Sequence, residues 1–145
     1  MILQKIYKIL IIPYSLFLLY LMFFGFGRVP MENHVFRFVP IYSTYDFLKN
    51  QLFFRNYYSV ITNLGGNFIM FVPFGFLSCI FRKYQSNERK LLMDFLVGII
   101  IVEFLQYISR LGVFDVDDVL LNTFAVWIGT KIMKCKNVDK FFKCS

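Results

Sequence analysis

The stretch RLGVFDVDDVLLN, Arg110–Asn122, sets one arginine, three aspartates and an asparagine between two of the most apolar segments of a very apolar chain. Residues 91–109 and 113–133, which meet in it, are each long enough at about 1.5 Å per residue to cross a hydrocarbon core of roughly 30 Å. Read this way, the charges mark the turn of a transmembrane hairpin, and the fold is an all-α membrane protein.

Working outward, residues 9–26 carry no charge and form a first apolar run, and residues 64–81 form another. Pro73 is expected to kink that second run by removing a hydrogen bond to the carbonyl four residues back, with Ser or Asn side chains of neighbouring helices making the repair. The spans 9–26, 64–81, 91–109 and 113–133 give one domain over residues 1–145, a bundle of four transmembrane helices with a long external first loop. A cleaved signal peptide is the competing reading of the first run, because Lys5 and Lys8 precede it and Gly25 and Gly27 are small. The length of the run and the apolar segments that follow favour a span.

Composition points the same way: at 58% hydrophobic and 21% aromatic, 145 residues cannot cover their apolar surface as a small soluble domain does. The net charge of +7 sits in short clusters beside apolar runs. No basic face interleaved with exposed aromatics is formed, so nucleic acid is not an expected partner. Cations also set the orientation. Lys5, Lys8, Arg82, Lys83, Arg89, Lys90, Lys131, Lys134, Lys136, Lys140 and Lys143 fall on one side, against Arg28, Arg37, Lys49, Arg55 and Arg110 on the other. Eleven against five places both termini in the cytoplasm of a multi-pass cell-membrane protein. Cys79, Cys135 and Cys144 lack metal-ligand spacing and are odd in number, so they are expected to be reduced cytoplasmic thiols.

The first loop, Gly27–Asn63, is rich in aromatics and is expected on the outer interface, with Tyr57 and Tyr58 as anchors and a short in-plane helix over Thr44–Tyr58. A re-entrant hairpin is the other arrangement open to it. His34 reads as an ordinary loop residue.

On this topology the polar residues converge. Asn63 and Asn67 are spaced i, i+4 on the outer turns of the second helix. Glu103, Gln106 and Arg110, at i, i+3 and i+7, stripe the outer half of the third. Asp115, Asp118 and Asn122 repeat that spacing on the fourth, and Ala125 and Gly129 continue its face with small residues that let a partner helix approach. These eight polar residues are the candidate binding pocket. A carboxyl at Glu103's depth must face the bundle and find a partner, and Arg110 is the expected one. Structural duties compete for the same residues: Asp115, Asp117 or Asp118 can cap the fourth helix, Asn63 the second, and Gln106 and Asn122 can bond neighbouring helices.

Carboxylates and amide oxygens are hard donors, suited to a divalent cation or to a cationic or hydroxyl-rich headgroup. No cofactor beyond such a cation is expected, and whether a metal binds stays open. The chain shows no Ser/His/Asp arrangement, phosphate-cradling glycine loop or HExxH motif, so no catalytic residue is assigned and the balance is against an enzyme.

The run Asn63-x3-Asn67-x3-Phe71-x-Pro73-x-Gly75-x-Leu77, followed by Glu103-x2-Gln106, Arg110, Asp115, Asp118, Asn122 and Gly129, resembles the VanZ-like family of small bacterial membrane proteins. The resemblance spans about residues 37–130 and includes Arg37-Phe-Val-Pro40-Ile41 in the first loop. Two positions depart from the family pattern: Arg37 stands where Asn is common, and Ala125 where Gly is usual. The resemblance implies resistance to teicoplanin and related lipid-bearing glycopeptides. Membrane lipids or lipid-linked cell-wall material are the expected partners of the pocket. The alternatives are an intramembrane enzyme on a lipid-linked envelope substrate, with Glu103 or Asp118 as acid/base, and an accessory subunit of a larger envelope complex.

Overall fold

The computed structural model describes residues 2–25, 29–37, 39, 42–81, 84 and 87–134, and of residues 2, 3, 42, 43, 59, 62 and 63 the backbone alone. The chain is mostly helical: α1 (Ile2–Phe24), α2 (Tyr42–Phe53), α3 (Tyr57–Val60) running into a π-helical segment (Ile61–Gly65), α4 (Gly66–Gly75), α5 (Leu77–Ile80), α6 (Glu88–Ile108) and α7 (Val116–Met133). Two helices, Gln4–Phe24 and Glu88–Ile108, are long and apolar enough to cross a membrane. The other two expected spans are helical but do not meet that test, and the reasons are local. Over 61–80 the helix changes from π to α at Gly65 and breaks at Phe76, leaving a shorter apolar stretch, Gly66–Ile80. α7 is 18 residues long and carries Asp117, Asp118 and Lys131.

α4 and α7 form the closest packing in the fold. A Cβ on Gly75 would stand 2.5 Å from both Gly129 C and Thr130 N, and one on Gly129 would collide with the Val72 carbonyl. Glycine is therefore required by the approach of two backbones, as small-residue faces allow in membranes. Around this crossing Phe71, Leu91, Ile99, Val119, Ala125 and Val126 build the core. α1 joins it through Leu18, with Tyr14, Leu21 and Met22 alongside, while only 6% of its apolar window is buried. Side-chain donors fasten it: the Tyr7 hydroxyl donates to the Pro73 carbonyl and the Tyr14 hydroxyl to the Met70 carbonyl at 2.6 Å. Tyrosines of α1 thus bond two carbonyls around the proline.

At the opposite end from the Arg110–Asp115 turn, Asn87 caps α6 by accepting from Lys90 N. Glu88 pairs with Lys131 at 2.9 Å and Lys134 at 2.5 Å, tying the start of α6 to the end of α7. Cys79 is buried at this end, its Sγ 3.8 Å from the Met133 carbonyl. It is disulfide-bonded, which corrects the expectation of three free thiols. α5 sets Cys79 against the last turn of α7; Cys135 and Cys144 lie outside the described residues.

Candidate functional site: a polar cavity between the helices

Asp115 begins the site. It is the N-cap of α7, its Oδ1 accepting from Asp117 N at 2.9 Å, which satisfies one of the donors that a helix start leaves unpaired. The capping alternative is therefore correct for Asp115, and capping orients the same carboxylate toward its second partner. Residues 36–37 and 114–115 pair as a two-residue parallel bridge, Phe36 opposite Phe114 and Arg37 opposite Asp115. This register brings the Arg37 guanidinium to 3.6 Å from Asp115 Oδ2. The arginine side chain is 54% exposed and the aspartate 10%, so the pair sits at a rim.

Beneath that rim lies a cavity of about 230 Å³. Glu103 and Gln106 enter it from α6, Asp115, Asp118 and Asn122 from the start of α7, and Asn67 from α4, with Met22, Phe71 and Val113 completing the wall. Helical periodicity explains the convergence, since residues three, four and seven apart share a face. Glu103 and Gln106 are each 3% exposed and Asn122 is 2% exposed. The Gln106 amide Nε2 donates to the Met22 carbonyl at 2.6 Å, holding α1 against the cavity floor. Asn122 Oδ1 and Ser78 Oγ are buried without a hydrogen-bond partner among the described residues. Such an acceptor costs about 1–3 kcal/mol, so Asn122 is not accounted for as interhelical glue.

Of the other two candidate residues, Arg110 is placed elsewhere and Asn63 is described by its backbone alone. Arg110 is exposed and does not line the cavity. Its backbone takes φ 59°, a left-handed cap that ends α6, with the Gln106 carbonyl accepting from both Leu111 N and Gly112 N. That turn swings its guanidine Nε to His34 Nε2 at 3.3 Å. His34 in turn donates from Nδ1 to the Tyr107 carbonyl at 2.9 Å and packs on the Tyr107 ring, so it anchors the loop to α6. Asn63 falls inside the π segment, and α4 starts from Gly65 with no side-chain cap, so Asn63 is not at the N-cap. Its side chain lies outside the described set. Asp117, beside the cavity, accepts from Thr44 N at 2.9 Å and so caps the first turn of α2 from another element. α2 starts two residues earlier than the expected loop helix and stops at Phe53, before Arg55 takes φ 54°.

Among the described residues, no three His, Cys, Asp or Glu side chains lie close enough together to hold a metal ion. Among the described lining residues there are three carboxyls and one guanidinium. The site can thus accept hydrogen bonds and positive charge from something it encloses. Its walls leave room for a small polar group.

A family model described as VanZ/LLP1 matches residues 11–137. The chain belongs to the VanZ/LLP1 family. The matched span takes in every residue lining the cavity, so the VanZ/LLP1 unit and the site coincide. No curated protein and no solved structure matches this VanZ/LLP1 chain. Membership and the two apolar helices together support a membrane protein. Arg37 is the lining residue that sequence reasoning set aside. Its signal was the loop segment before Pro40, but a pairing with Asp115 across 78 residues leaves no periodicity to read. Met22 had no signal, because its part is played by a backbone carbonyl.

Proposed function

We propose that this chain is a multi-pass protein of the cell membrane whose outer-leaflet polar pocket binds a lipid-linked or surface-polymer headgroup and thereby lowers susceptibility to teicoplanin-type lipoglycopeptides. The observation that carries this is the gathering of Glu103, Asp118 and Asn122 with Asn67 and Gln106 into one cavity beside the Asp115–Arg37 rim. Buried carboxyls at bilayer depth are costly and mark ligand or ion sites far more often than plain anchors do.

Four helical segments cross the membrane in this reading. About 30 Å of helix over 61–80 matches the hydrocarbon thickness, and the charges of α7 lie at its two ends, where the interfaces are. The eleven-to-five cation count supports cytoplasmic termini and an external first loop. Family membership supplies the link to glycopeptides. At about 230 Å³ the cavity is too small for the drug itself, so it acts on what the drug meets at the membrane surface.

The test is the minimal inhibitory concentration of teicoplanin, with vancomycin alongside, in a susceptible Gram-positive host with and without the gene. A selective rise for teicoplanin is expected, abolished by Glu103→Gln and by Asp118→Asn at equal membrane abundance. Full protection in both variants refutes the pocket reading; no rise with the wild-type chain in the membrane detaches it from resistance.

A further inference from the structure

We infer that the group taken by this cavity is a primary ammonium, an inference that rests on reading the cavity as a headgroup site. Asn122 is the starting point: 2% exposed, lining the cavity, with Oδ1 unpartnered. A ligand that completes the site must bring a hydrogen-bond donor to that oxygen. The Gln106 amide nitrogen donates to Met22 and makes no hydrogen bond to Asn122 Oδ1. Arg37, the one cation among the described lining residues, stands at the rim against Asp115. The lining is rich in acceptors, with the carboxyls of Glu103 and Asp118 in the same wall as Asn122.

Five chemistries can be weighed against this lining. A phosphate would bring acceptors and negative charge to three carboxyls and one guanidinium, which is the wrong sign. A quaternary ammonium has the right charge but no N–H for Asn122 Oδ1. A hydroxyl can donate to that oxygen yet brings its own lone pairs and no charge. A primary ammonium carries one positive charge and three donors with no acceptor, enough for Asn122 Oδ1 and for both carboxyls. A divalent cation would need a tighter donor cluster than the described residues form. The volume, about 230 Å³, suits an aminoethyl or aminoacyl end and not a whole glycan.

Such an ammonium can come from an aminophospholipid or from a soluble amine, and the experiment separates the two. The purified full chain in mild detergent is offered equal amounts of phosphatidylethanolamine and phosphatidylcholine with matched acyl chains, and bound lipid is counted by native mass spectrometry. Retention of phosphatidylethanolamine about tenfold above phosphatidylcholine is expected, the size of one charge-assisted hydrogen bond. Asn122→Leu and Glu103→Gln should each erase the preference; Asp118→Asn replaces either variant that fails to fold. Displacement by ethanolamine but not choline marks the amine alone as sufficient, and resistance to ethanolamine marks the lipid as the source. Equal retention of the two lipids, or a preference that survives both variants, overturns the inference. If the lipids bind equally while Glu103→Gln still abolishes teicoplanin protection, the ammonium fails and the headgroup site stands; if protection is also unaffected, both fail.

Discussion

Replacing Gly75 by alanine tests the packing on which the cavity stands. The added Cβ would lie 2.5 Å from Gly129 C and Thr130 N, against 3.4 Å where ordinary contact begins, a shortfall of about 0.9 Å. Both obstacles are backbone, so no rotamer change relieves the overlap and α4 must move away from α7. A gap of that order forfeits a quarter to a half of each dispersion contact across the crossing, and overpacking of this kind costs about 1–3 kcal/mol. Alanine returns about 1 kcal/mol through helix propensity. Because the clash is with main chain, the cost belongs near the upper end, and the net loss is about 2 kcal/mol. The control is Gly98→Ala on α6, where nothing lies within 4 Å of the added carbon, so only the propensity gain applies. Equilibrium unfolding by SDS titration from mild detergent, followed by far-UV circular dichroism, should separate the two variants by about 3 kcal/mol. Coincident unfolding curves would refute the close-approach argument.

Two further outcomes follow from the geometry. Asp117→Ala removes the acceptor of Thr44 N, so amide hydrogen exchange across α2 should rise about fivefold, the equivalent of a lost helix cap, while α6 keeps its protection; unchanged exchange in α2 would show that Asp117 does not hold it. In a chain with its three native cysteines replaced, Arg110→Cys at the exposed turn should react with a membrane-impermeant maleimide on intact cells, and labelling only after lysis would reverse the proposed orientation.

Much of the cavity was legible because it is local. Glu103 and Gln106 on one helix, and Asp115, Asp118 and Asn122 on the next, follow from helical spacing alone, and the structure sets them in one lining. What spacing cannot report is where a helix ends. Arg110 fits the stripe by count, but its left-handed backbone takes it out of the helix and turns it to His34. Asn63 sits in a π turn, which adds a residue to the helical repeat, so its spacing to Asn67 does not follow the α-helical count. Arg37 joins through a strand bridge between distant segments, and the disulfide of Cys79 is likewise a tertiary pairing. Neither kind of long-range pairing writes a pattern into the sequence.

Three of the hydrogen bonds that fasten α1 to its neighbours, from Tyr7, Tyr14 and Gln106, all end on backbone carbonyls, those of Pro73, Met70 and Met22. Every residue type supplies that carbonyl, so the acceptor positions can drift in identity with the bond intact. The donors enjoy no such latitude. Selection that preserves the seating of α1 therefore falls on two tyrosines and a glutamine, and a comparison of sequences would find the attachment written on one side of each contact only.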